Sequence, residues 1–205
     1  MIAIVDYGMG NLLSVFHAVE FAGQEARICS RPEELESAER IILPGVGAFR
    51  DCMINLQNRG FIEVLNQEVL IKHKPILGIC LGMQAMARRS FEGGEHAGLG
   101  WFEADVIKIH PNDEGLRVPH IGWNDIDYRK DSPLFKGLPL HPDFYFVHSY
   151  YMKCDKPEDI EATFDYGGTF TAAVRKENIF ATQFHPEKSQ DYGLKVLDNF
   201  LNWIP

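Results

Sequence analysis

The ten residues from Pro75 to Gln84 (Pro-Ile-Leu-Gly-Ile-Cys-Leu-Gly-Met-Gln) constrain this chain more than any other stretch. Ile76, Leu77 and Ile79 have strand character, and they run into Cys80 with no spacer before a helix-competent segment, Met83 to Arg89. Cys80 therefore falls on the turn. Gly78 and Gly82 flank it in the pattern Gly-x-nucleophile-x-Gly, in which a sharp strand-to-helix turn lifts a reactive atom out of the sheet. The glycines are needed because strand and helix backbones approach closely there and a side chain would block them. A thiol so placed meets unpaired N–H groups and the positive end of a helix, which favour thiolate. The Leu81 N–H is then one donor for an oxyanion. The same residues also fit a small buried cysteine at a tight strand end.

The chain has 205 residues, enough to bury a large core without staples, and it is expected to form a single domain over 1–205. Against 20 Lys and Arg stand 29 Asp and Glu, a formal net charge of −9. That excess argues against a general nucleic-acid or anionic-membrane surface. No stretch approaches a membrane span, and the short apolar start, Met1 to Val5, lacks the basic lead-in of a signal peptide. Cys29, Cys52, Cys80 and Cys154 are scattered, so neither a disulfide framework nor a metal-binding pair is indicated. A reducing, cytoplasmic setting is expected.

Along the chain, residues 2 to 5 read as a strand, Asp6 to Asn11 as a glycine turn and Leu12 to Val19 as a helix. Gly8-Met9-Gly10 lacks the third glycine of a dinucleotide fingerprint, Leu13 standing there instead. Strands follow at Glu25 to Cys29 and Arg40 to Leu43, the latter ending at a second glycine turn, Pro44-Gly45-Val46-Gly47. This turn is the best source of a second oxyanion donor, although a ligand-free connection fits its spacing equally. Helical patterns over Ala48 to Asn58 and Phe61 to Ile71 lead to the elbow strand. Such alternation predicts βαβ units in a mostly parallel α/β sheet, whose ligands bind beyond the carboxyl ends of the strands. After Gly94 the chain turns strand-rich, at Trp101 to Ile109, Ile121 to Tyr128, Phe144 to Val147, Ile160 to Phe164, Thr169 to Arg175 and Asn178 to Gln183. An amphipathic helix from Asp191 to Trp203 follows.

A cysteine nucleophile wants a base and a group that orients the base. His185-Pro186-Glu187 offers both, since residues two apart on extended backbone project to one side and Pro186 disfavours helix at His185. A zinc or iron site there lacks a third protein ligand at motif spacing. The other histidines read as ordinary polar or interface residues.

Gly78 to Gln84, with Pro44 to Gly47 upstream and His185 to Glu187 downstream, resembles the class I (triad) glutamine amidotransferases in motif order and spacing. Within that family the chain is similar to the branch serving histidine biosynthesis. That likeness rests on Val5 to Asn11, Leu43 to Phe49, His120 to Asn124, Tyr145 to Tyr151 and Gln183 to Ser189, and so spans essentially the whole chain. The resemblance implies a flavodoxin-like three-layer sandwich with an added antiparallel portion in the second half. It implies that Cys80, His185 and Glu187 hydrolyse glutamine through a thioester, with the oxyanion held by Leu81 and by the Gly45, Val46, Gly47 turn. Gln84, Glu92, Ser149 and Tyr150 are then the residues that hold glutamine, Glu92 being the least constrained by pattern. Read without the family, Gln84 is a helix-surface residue and Ser149-Tyr150 a strand end. No cofactor or metal is implied. The implied partner is a separate (βα)8-barrel cyclase subunit in a heterodimer, with Asn11, Trp123, Asn124 and Lys188 as contact residues, although Trp123 by itself also fits a core. The rivals are a glutaminase feeding another synthase, a partner-independent cysteine amidohydrolase, and a binding subunit that has kept only the fold.

Overall fold

The computed structural model describes residues 1–205. In chain order the elements are β1 (Ile2–Val5), α1 (Leu12–Phe21), β2 (Ala26–Cys29), β3 (Arg40–Gly45), α2 (Phe49–Asn58), α3 (Phe61–Leu65), β4 (Ile76–Cys80) and α4 (Leu81–Ala85). The chain continues through β5 (Ala87–Ser90), β6 (His96–Ala97), β7 (Phe102–Lys108), β8 (His120–Asp125), β9 (Asp127–Tyr128), β10 (Asp143–His148) and β11 (Tyr150–Cys154). It ends with β12 (Ile160–Asp165), β13 (Thr169–Lys176), β14 (Ile179–Thr182) and α5 (Gln190–Asn202).

The eight-stranded main sheet runs β2-β1-β3-β4-β14-β13-β12-β9. Its first five strands are parallel and its last three pairings antiparallel. The parallel part has the order of a flavodoxin-like sheet. Alternation along the strands divides the interior in two. Ala3, Val5, Ile41, Leu43 and Ile76 pack with Phe49, Leu56, Phe61 and Leu65 of α2 and α3, and Ile2, Ile4, Ile42, Leu77 and Ile79 pack with Val15 and Val19 of α1 and Val196, Leu197 and Phe200 of α5. Strands buried on both faces read as continuous apolar runs, which is why β1, β3 and β4 stand out in the sequence.

The second half adds a four-stranded sheet, β11-β7-β5-β6, and a two-stranded ribbon, β10-β8. Three local expectations need correction. The elbow helix does not run to Arg89: it stops at Ala85, and Ala87–Ser90 becomes β5 because it pairs with β7, a partner far along the chain. The helix expected through Ile71 is α3 followed by a wider π-turn over Asn66–Ile71. Tyr150–Cys154 and His96–Ala97, outside the expected strands, are β11 and β6.

Candidate active site

Parallel strands deliver their carboxyl ends to one edge of the sheet, and the Gly45–Gly47 turn, Cys80 and His185 meet there. Cys80 ends β4 at φ +54, ψ −106, a conformation rare for a residue with a Cβ. Its glycine neighbours are there for close approach. A Cβ on Gly82 would strike the Leu43 carbonyl of β3, and one on Gly78 would lie 3.0 Å from the Met83 nitrogen. Because α4 is only five residues long, its macrodipole is short. The groups that act on the thiol are local donors and charges.

His185 follows β14 and is fastened on three sides. Its N–H donates to the Tyr145 carbonyl of β10 at 3.0 Å, and its own carbonyl accepts Ser189 Oγ–H at 2.6 Å. Ser189 Oγ in turn accepts the Tyr145 N–H at 3.0 Å. His185 Nδ1 lies 2.8 Å from Glu187 Oε1, with both side chains only 2% exposed. This pairing does not come from strand alternation, as the spacing suggests. Pro186–Lys188 is a 3-10 turn, and the turn folds Glu187 back beneath the ring. Burial disfavours the imidazolium, but the Cys80 sulfur and the Glu187 carboxylate outweigh it and hold the His185 pKa up at about 9. A cationic His185 and an anionic sulfur stabilise one another.

Cys80 and His185 open onto a cleft of about 400 Å³. Val46, Gly47 and Leu81 line it, together with Gln84, Glu92, Pro119, Val147, His148, Ser149 and Tyr150. Of the sequence-derived site residues, Gly45 is off this wall. It pairs with Cys80 across β3 and β4, and a Cβ there would run into the Tyr7 hydroxyl and Leu81, so its smallness serves packing. Gln84 is no helix-surface residue: it is 5% exposed, and its Nε2 donates to the Tyr150 carbonyl at 2.9 Å and to Gln183 Oε1 at 3.0 Å. Glu92 Oε2 accepts the Phe49 N–H at 2.8 Å, which commits one oxygen to the start of α2.

His148 and Gln183 carry no assigned role in the sequence reading, although both stand in stretches that bear the family resemblance. His148 lines the cleft, donates through Nδ1 to the Tyr150 carbonyl at 2.8 Å, and lies 3.2 Å by Nε2 from His120 Nδ1. Neither is an ordinary surface histidine. Burial pulls His120 down to about 4 and His148 to about 3, so both are neutral at pH 7. Gln183 is wholly buried, with Nε2 3.6 Å from Cys80 Sγ. A polar residue ahead of His185 in an otherwise apolar strand end was the available clue.

The remaining positions lie around the site. Trp123 is 46% exposed, which removes it from the core, and its ring meets Tyr145 edge-on at 6.1 Å, while Lys188 Nζ sits over the Tyr145 ring, 6.0 Å from its centroid. Asn124 turns inward, donating to the Asp165 carbonyl at 2.8 Å beside His120. Asn11 begins α1 next to the Gly10 turn, which packs on Pro44. The first glycine turn is filled from within, the Gly8 N–H donating to Asp6 Oδ1 at 2.9 Å with Arg59 alongside.

The model of the family described as glutamine amidotransferase class-I matches residues 3–203, and this chain belongs to that family. Among curated relatives, imidazole glycerol phosphate synthase subunit HisH 1 of Campylobacter jejuni (strain RM1221) is 50% identical over 201 residues, covering 98% of this chain and 99% of its own. Subunit HisH 2 of Pseudomonas aeruginosa is 43% identical over 204 residues, covering both chains completely. A solved glutamine amidotransferase aligns with TM-score 0.74 at 22% identity over 97% of this chain and 98% of its own, and PurLQS from Thermotoga maritima with 0.77 at 19% over 98% and 97%. At those identities the two structures speak for the fold alone. No helix is long and apolar enough to cross a membrane.

Proposed function

We propose that the chain is the glutaminase subunit of an imidazole glycerol phosphate synthase, hydrolysing glutamine and passing ammonia to a cyclase subunit. The observation that carries the chemistry is Cys80, held at φ +54 on the cleft wall with His185, whose Nδ1 is tied to Glu187 at 2.8 Å. The full-length relatives, 43–50% identical, carry the choice of pathway.

Cys80 thiolate attacks the side-chain amide carbon of glutamine. The oxyanion is held by the Leu81 N–H together with one from the Val46–Gly47 part of the turn, both of which line the cleft. His185, cationic at neutral pH, protonates the departing nitrogen, and ammonia leaves behind a glutamyl thioester. Neutral His185, still oriented by Glu187, then takes a proton from water, which attacks the thioester and frees glutamate. Gln84, Glu92, Ser149 and Tyr150 hold the amino-acid end of the substrate. With both its N–H groups committed inside the protein, Gln84 offers glutamine an acceptor, Oε1, and so suits the α-ammonium.

Ammonia set free in neutral water becomes ammonium and is lost as a nucleophile, so the subunit is useful only when docked. The docking surface assigned to the (βα)8-barrel cyclase carries Asn11, Trp123 and Lys188, and α1 and β8 also expose the apolar residues Leu13 and Ile121. Release of ammonia from glutamine that disappears in Cys80→Ala tests the reading. Equal release by that variant would refute it.

A further inference from the structure

The amide orientations below the cleft are fixed by chemistry. The Tyr150 carbonyl can only accept, so the terminal atom of Gln84 that sits 2.9 Å from it must be the nitrogen. That nitrogen also lies 3.0 Å from the Gln183 amide, and a donor facing it makes the contacted Gln183 atom the oxygen. The other end of the Gln183 amide is therefore nitrogen, and it faces Cys80 Sγ at 3.6 Å. Flipping Gln84 would set its oxygen against the Tyr150 carbonyl and Gln183 Oε1, and flipping Gln183 would set its nitrogen against Gln84 Nε2. All three residues are buried, Gln183 at 0%, Gln84 at 5% and Cys80 at 6% exposure, and the Gln183 backbone is pinned by its N–H on the Ala172 carbonyl at 2.8 Å.

A buried N–H aimed at sulfur is well satisfied by a thiolate and poorly by a thiol, which is a weak acceptor. We propose that Gln183 is a further catalytic residue of this site, its Nε2–H stabilising the Cys80 sulfur as thiolate, and that Gln84 is the positioning residue that turns the Gln183 amide that way. The proposal rests on Cys80 being the nucleophile of the glutaminase described above. It gives the thiolate two unlike partners: the His185 cation, which leaves as the proton donor of the first step, and the Gln183 dipole, which stays. After the thiolate has attacked, the sulfur is held in the thioester; when water cleaves that bond and the sulfur departs as thiolate, the Gln183 N–H is in place to receive it. The Tyr150 carbonyl anchors the line, since it accepts from both Gln84 and His148.

The test is the pH profile of Cys80 alkylation by iodoacetamide on the purified chain, followed on the Cys80 peptide by mass spectrometry, beside steady-state glutamine hydrolysis in the docked complex. Gln183→Glu keeps the volume and the acceptor for Gln84 but sets a carboxylate against the sulfur. Gln183→Leu removes donor and acceptor together. The alkylation midpoint is expected to rise by about one pH unit or more in both variants, furthest in Gln183→Glu. Gln183→Glu should lose about tenfold or more in kcat with KM changed less than about threefold, because it keeps the acceptor for Gln84 and loses only the contact to the nucleophile. Circular dichroism checks folding, and Gln183→Glu carries the test if the leucine variant does not fold. A wild-type alkylation profile in a folded Gln183 variant overturns the assignment. Shifted alkylation in a chain that releases no ammonia from glutamine would keep the Gln183 contact and discard the glutaminase reading.

Discussion

Cys80 sits in a backbone conformation that costs a residue with a Cβ about 1–3 kcal/mol, and the surrounding packing imposes it. That conformation sets Cys80 in the cleft wall although the residue as a whole is only 6% exposed. The electrostatics of the site then rest on His185. Its pKa of about 9 lies above the ordinary histidine value, so the group contributes stability in full below about pH 6.5 and loses it as pH rises through about 9. Removing the sulfur leaves burial, which lowers the pKa, opposed only by Glu187. In Cys80→Ala the His185 ring is therefore expected to titrate at least about one unit lower than in the wild type, read by NMR of the ring protons. An unchanged midpoint would mean that Glu187 alone holds the cation.

The elbow depends on β3, β4 and α4 touching through glycine. A Cβ at Gly82 meets the Leu43 carbonyl, which belongs to a central strand and cannot yield without moving β3. Gly82→Ala is expected to lose about 3 kcal/mol or more of unfolding free energy in denaturant titration, and glutaminase activity with it. A loss below about 1 kcal/mol would show that the elbow relaxes easily. This element was legible in the sequence because its determinants are adjacent: an apolar strand, Cys80, and two glycines in fixed places. The His185-Pro186-Glu187 pair was legible for the same reason, although the turn that joins its members was not. What sequence spacing could not supply came from pairing across long separations. Ala87–Ser90 looks helical until β7 claims it, and Tyr150–Cys154 becomes a strand only against the same β7. His148 and His120 meet because β8 and β10 pair them directly, and Gln183 reaches Cys80 because β14 lies beside β4. Gly45, an oxyanion candidate from its motif, also has a packing reason to be glycine that its motif does not show, since a Cβ there would run into the Tyr7 hydroxyl and Leu81.

Across the molecule, buried histidines of opposite behaviour shape stability against pH. His120 and His148, depressed to about 4 and about 3, contribute stability above about pH 6.5 that is lost as pH falls toward those values, whereas the contribution of His185 is lost on the alkaline side. Unfolding free energy is expected to peak near pH 6.5 and to fall by about 2–3 kcal/mol per pH unit between pH 6 and 4, by denaturant unfolding across pH. A profile flat through that acid range would contradict neutral burial of the pair. The same two histidines lie between β8, which carries the exposed Trp123, and Tyr150 on the cleft wall, so the cleft and the surface assigned to docking share one framework. The measurement that tests the whole account most directly is ammonia release from glutamine by the wild-type chain and Cys80→Ala, each with and without the proposed cyclase barrel. The account predicts release that requires Cys80 and rises strongly when the barrel is present. Release that is independent of Cys80, or Cys80-dependent release that ignores the barrel, would contradict it.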